Sequence, residues 1–240
     1  MKRVTLIMML VVGVHAARAQ NVVYDANAEV RPVAAFNGID VSGSVSLYIS
    51  QGTETGVAVS AQEEKYNSKI KTEVKDGILH ISVDGGMWNG FSLTNKKLKA
   101  YVSVITLKQL HVAGASNVVF TGKITGDDLA MVILGASDIK GPVQLKNLTI
   151  NISGASVVRL TGNAETATIS ANGAAKINGF DLQVDKGKFN LSGASHITIS
   201  VNKELTANAS GGSSIQYRGD ALATSINTNG GATIQKKSTP

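Results

Sequence analysis

The sequence predicts an all-β fold: a parallel β-helix, or solenoid, with coils of about 19 residues, preceded by a mixed or antiparallel β region that caps one end. Three observations carry that prediction. A phrase of small residues recurs at nearly constant spacing. Apolar and polar residues alternate on both sides of each copy. The composition is that of strands and turns, with 25 glycines against 3 prolines, 5% aromatics, and abundant Val, Ile, Thr, Ser and Asn.

The phrase is "SGAS" at 153–156 and 192–195, with near-copies "AGAS", "LGAS", "NGAA", "SGGS" and "NGGA". Aligned on Gly114, Gly135, Gly154, Gly173, Gly193, Gly211 and Gly230, the steps are 21, 19, 19, 20, 18 and 19 residues. So regular a period marks a stack of repeats, each too small to bury its own apolar face. Two and four residues before each glycine stand mostly apolar residues, such as Ile152 and Ile150 or Leu191 and Phe189. Four residues after it stand Val118, Ile139, Val158, Ile177, Ile197, Ile215 and Ile234. Period two on both flanks means strand, tight corner, strand. Each coil then contributes two short strands to facing sheets, and the next coil stacks about 4.8 Å along the axis. Whether the cross-section has two sides or three is left open by the pattern. Seven coils would make a rod on the order of 34 Å long.

At such a corner backbones approach closely and φ turns positive, and glycine tolerates both. The residue two after each glycine keeps the inward parity: Ser116, Ser137, Ser156, Ala175, Ser195, Ser213 and Ala232. Only small side chains fit there, and serine can also satisfy backbone groups. A catalytic role for these serines fails on pattern. A nucleophile elbow needs Gly-x-Ser-x-Gly, and here the second glycine is replaced by Val or Ile. His80, His111 and His196 do not recur with the repeat.

Before residue 105 the repeat weakens. "FNGIDVSGSVSLYIS" (36–50) has the same strand–corner–strand form around Gly43, giving an eighth structural corner. Further strands are expected at 56–60, 70–74, 78–83 and 98–105, with "KDG" at 75–77 as a hairpin turn. Antiparallel strands here would close an end whose open edge otherwise invites aggregation. The organisation expected is a signal peptide at 1–19, an N-terminal β region at 20–105, and solenoid repeats at 106–240 as one continuous unit.

Lys2 and Arg3, an apolar run of about ten residues, and Ala17-Arg18-Ala19 form the signal peptide. Its removal lowers the formal charge from +6 to +3. That mild excess, with no basic run interleaved with aromatics, argues against nucleic acid as a partner. Without cysteine there is no disulfide, thiolate metal site or lipidated cysteine. No later stretch has the length and apolarity of a membrane span. The expected location is exported: periplasm, outer-membrane surface or secreted.

"FNGIDVSGSVSLYIS", the later small-residue corners and the signal peptide together resemble the head GIN domain family of auto-transporter adhesins. The resemblance covers nearly the whole mature chain. It implies a β-helical fold and a role in cell-surface adhesion, and it brings no catalytic residues. The sequence ends at "KKSTP" without the barrel that an autotransporter uses to display itself.

No motif for enzyme chemistry appears, so no enzyme, cofactor or metal is expected. The adjacent acids Glu63-Glu64 and Asp127-Asp128 sit beside turn signals. There is no calcium-binding nonapeptide, metal-binding His pair, P-loop or hexapeptide repeat. Asn-x-Ser/Thr triplets at Asn147, Asn151, Asn190 and Asn208 follow from composition. The weak binding candidates are Met87, Trp88 and Phe91, in the glycine-rich stretch "DGGMWNGFSL", where aromatics suit stacking on sugar or contact with protein. The function expected is an exported, non-enzymatic, adhesin-like envelope protein presenting a binding face to glycan or protein. The alternatives are an assembly protein stacking into oligomers and, further off, a polysaccharide-active β-helix enzyme.

Overall fold

A computed structural model describes residues 25–84 and 97–238. The strands are β1 (Glu29–Arg31), β2 (Gly38–Gly43), β3 (Ser46–Gln51) and β4 (Gly56–Ser60). A 3-10 turn at Glu64–Lys69 precedes β5 (Ile70–Lys75), β6 (Ile78–Val83) and β7 (Lys99–Val104). The solenoid proper runs through β8 (Gln109–Gly114), β9 (Asn117–Phe120), β10 (Ile124–Gly135), β11 (Asp138–Gly154), β12 (Val157–Gly173) and β13 (Lys176–Gly193). It finishes with β14 (His196–Gly211), β15 (Ser214–Arg218), β16 (Leu222–Gly230) and β17 (Thr233–Lys236). From β8 onward every ladder is parallel and one coil apart.

Side chains of like kind stack along the axis. One inward row runs Val118, Ile139, Val158, Ile177, Ile197, Ile215. All six are buried. A second row runs Leu110, Met131, Ile150, Ile169, Phe189, Ala207. Phe189 is the bulkiest of the fully buried side chains and is followed one coil later by Ala207. A Cβ on Gly187 would lie 2.5 Å from the Phe189 ring, so glycine there makes room for it. The small Ala207 and Gly187 beside Phe189 let the coil take the larger ring at constant spacing.

The cross-section is three-sided. Besides the glycine corner, the chain bends near Gly141 and Gly162, whose φ values are +144° and +104°. A third break falls where the ladders skip one residue per coil, at Asp127, Lys146, Glu165 and Asp185. Inward parity shifts there: Val158, Leu160 and Ala164 point in before it, Ala167, Ile169 and Ala171 after it. A one-residue slip exchanges the faces of a strand, so the coil can place the slip only at a bend.

The N-terminal region does not follow chain order. The β2–β3 coil sits inside the stack, paired in parallel with β8–β9 on one side and with β6 and β7 on the other. Outside β6 and β7 the pairing turns antiparallel: β5 on β6, β4 on β7, and β1 on β4. Asp76 and Gly77, at φ +52° and +74°, make the tight β5–β6 turn. Asp25 ties the start of the described chain to this cap. Its carboxylate accepts from Lys99 Nζ (2.9 Å), Tyr101 Oη (2.7 Å) and Ser60 Oγ (3.0 Å). Lys99 above all, with Tyr101, holds the Asp25 carboxyl well below the usual carboxylate range.

Candidate functional site

The glycine corners form a single file. Gly43, Gly114, Gly135, Gly154, Gly173, Gly193, Gly211 and Gly230 all have positive φ. From Gly114 onward each packs on the backbone of the previous one, and a Cβ on Gly173 would lie 2.6 Å from the Gly154 carbonyl oxygen. From Gly114 to Gly211 the residue after each glycine donates its N–H to that same carbonyl, as Ala155 does to Gly135 at 2.9 Å. The corner serines are buried. Ser156 Oγ donates to the Gly135 carbonyl (3.0 Å) and accepts the N–H of Ser137 (3.0 Å). Ser116 donates to Gly43, Ser137 to Gly114 and Ser195 to Gly173. These hydroxyls are engaged by backbone, which accounts for them as structure.

The acid pairs are equally local. Asp127 pairs with Lys146 at 2.8 Å on the exposed third break, and that contact lowers the Asp127 carboxyl while raising the Lys146 ammonium. Asp128 accepts from Asn147 (2.9 Å), and Glu63 pairs with Lys65 (2.7 Å). Asp185 and Lys203 continue the exposed ladder at 2.8 Å. Such exposed pairs are screened by solvent and contribute little to stability. Among the described residues no group of His, Cys, Asp or Glu could hold a metal ion.

What stands out is a groove. On the outer face of the strands leading into the glycine corner, a trough of about 540 Å³ runs along the axis from Val132 and Leu134 to Asn227 and Asn229. Its first row, in register, is Val132, Asn151, Ser170, Asn190, Asn208 and Asn227. Its second row carries Leu134, Ser153, Asn172, Ser192, Ser210 and Asn229. No charged side chain lines it. Asn227 Nδ2 donates to Asn208 Oδ1, and Asn208 Nδ2 donates to Asn190 Oδ1, both at 2.8 Å. Head-to-tail amides of this kind fix one another's orientation, and each primary amide has further donor and acceptor capacity to offer outward. Beyond Val132 the first row continues through His111, Asp40 and His80. Both imidazoles approach the same Asp40 oxygen, at 3.3 and 3.6 Å.

Met87, Trp88 and Phe91 lie outside the described residues. Their segment lies between β6 and β7 in the sequence. The groove was not singled out from sequence, since outward Asn and Ser read as an ordinary solvated face until the register lines them up. Among the described residues no helix is long and apolar enough to cross a membrane.

Residues 35–221 match the family described as "Putative auto-transporter adhesin, head GIN domain". No curated protein matches the sequence. Among solved structures, the fold is similar to that of a "putative adhesin" from Bacteroides fragilis, with TM-score 0.79 and 24% identity over 88% of this chain and 96% of that one. It is similar to a "Putative lipid binding protein" from Parabacteroides distasonis, with TM-score 0.69 and 21% identity over 89% and 98%. A "putative adhesin" from Parabacteroides merdae aligns with TM-score 0.65 and 18% identity over 88% and 95%. At these identities the likeness is one of fold.

Proposed function

Because the chain belongs to the family described as "Putative auto-transporter adhesin, head GIN domain", we propose that it acts as an exported, non-enzymatic, adhesin-like protein whose binding face is the asparagine-lined groove, and that the ligand is a neutral glycan chain. The observation that carries this reading is the uncharged double row of amides and hydroxyls repeated over successive coils. A polymer of hydroxylated rings offers donors and acceptors at regular intervals and no charge. A trough with a regular polar repeat can meet it at several coils at once, each contact weak and the sum useful. A carboxylated or sulfated polymer would find no cation in the trough. The corner serines and acid pairs engage their own neighbours, which supports presentation over chemistry.

The test is a screen of neutral and acidic glycans with the mature chain, run beside Asn208→Leu and Trp88→Ala. Binding of a neutral glycan, weakened at least about tenfold by Asn208→Leu, is the expected result. Loss of binding in Trp88→Ala with Asn208→Leu unaffected would move the site to the 85–96 segment. Preference for acidic glycans would refute the groove reading.

A further inference from the structure

We propose that the C-terminal end of the solenoid is a self-association surface joining two copies of this chain tip to tip in a closed dimer. β16 pairs with β14 on one side, and β17 with β15 on one side; among the described residues their other edges carry no strand. All nine residues of β16 are exposed, including Leu222 at 71% and Ile226 at 40%. Ile226 is on an inward row, in register with Ala207, so its exposure marks an open end of the core. An uncovered pair of edge strands over an open core is a template for another chain.

Charge selects a second copy as the occupant. From Ala221 to Gln235 there is no charged residue. Strand edges normally carry charge to prevent pairing, and the edge strand at the opposite end does so with Lys71, Glu73 and Lys75 on β5. At the bare end the flanking charges are of opposite sign: Asp220 just before β16, Lys236 and Lys237 at the close of β17, with Asp220 and Lys236 exposed. A two-fold axis through the Gly230 corner lays β16 of one copy antiparallel to β17 of the other, with Ile226 opposite Ile234 of the second copy. The same operation lays Lys236 and Lys237 of each copy opposite Thr224 and Ala223 of the other, on the Leu222 side that leads to its Asp220. The β16–β17 pairing is then made twice, and because the same surface is used by both copies the assembly closes at two. Head-to-tail growth lacks a matching surface, because the other end is finished with antiparallel strands.

The test is the mass of the mature chain by sedimentation across concentration, with Ile226→Lys, Leu222→Lys and Leu222→Glu at the bare end and Val30→Lys on β1 as the opposite-end control. Val30 is 79% exposed and Leu222 71%, so neither change removes buried contacts from a single copy. We expect a monomer–dimer equilibrium weakened about a hundredfold by Ile226→Lys. Leu222→Lys weakens it more than Leu222→Glu, and Val30→Lys leaves it unchanged, all with an unaltered β-sheet spectrum. A monomer at every concentration overturns the proposal. So does a dimer insensitive to both bare-end lysines, one lost in Val30→Lys, or mass that grows past two copies.

Discussion

At one end of the stack the chain turns back on itself, and at the other the last described strands, β16 and β17, continue the parallel ladders. The first end has a three-residue β1, a β5 with alternating charge, and an N-terminal segment tied down through Asp25. Ile70 on β5 is fully buried beneath that cap. The second end leaves Ile226 and Leu222 in solvent. The contrast teaches that a solenoid's repeat explains its middle and says nothing about its ends. Each end needs its own device, and among the described residues one end has antiparallel strands over it while the other leaves its last strands uncovered.

The largest expected effect tests that contrast directly. Ile70→Ala should cost about 2–5 kcal/mol, as for a buried isoleucine, and Ile226→Ala less than about 1 kcal/mol in dilute solution. Urea unfolding of the two variants would measure this, and equal losses would mean that the ends are equally buried. The corner file gives the next test. In Gly173→Ala a Cβ meets backbone at 2.6 Å and φ is +111°, so a loss of roughly 2–4 kcal/mol is expected. At the bare end a Cβ on Gly230 meets nothing nearer than 3.2 Å, and Gly230→Ala should cost about 1–2 kcal/mol from its φ of +71° alone. Melting temperatures falling in the reverse order would refute the stacking account. Third, Ser156→Leu overfills a buried corner and should cost roughly 1–3 kcal/mol, so an unchanged melting temperature would break it.

The smallest effect concerns acid. Asp25 titrates below its ordinary value in the folded protein, chiefly because of Lys99. Its contribution is therefore complete above the unfolded carboxylate value and is lost as pH falls through the folded one. Asp25→Asn should lower stability modestly at neutral pH and reduce the slope of stability against pH below about 4. An identical acid limb in both proteins would show that the tie contributes nothing.

Much of this molecule was legible in its sequence, for reasons that are local. Positive φ and close approach demand glycine, so Gly114 through Gly230 announce the corners. Alternation from Leu110 to Val118 or from Ile169 to Ile177 announces the strands beside them. Three things were not legible. The β2–β3 coil lies between β6–β7 and β8–β9, and parallel partners leave no mark on the residues that choose them. The third side of the coil hides in a one-residue change of parity at Lys146 and Glu165, which the alternation beside the glycine corners does not show. The groove needs Asn190, Asn208 and Asn227 in a line, and that line exists only once the period is wrapped into coils of the right length.

The single file of glycines has one more consequence, for how such a protein can change over generations. Because each coil touches only its neighbours and every corner repeats the last, length comes in whole units. Losing or duplicating about 19 residues from one glycine to the next shortens or extends the rod by about 4.8 Å and leaves both ends untouched. Removing half that number breaks the stack at the junction, where corner no longer falls on corner. Reach is thus a heritable quantity counted in integers, adjustable without redesigning either tip.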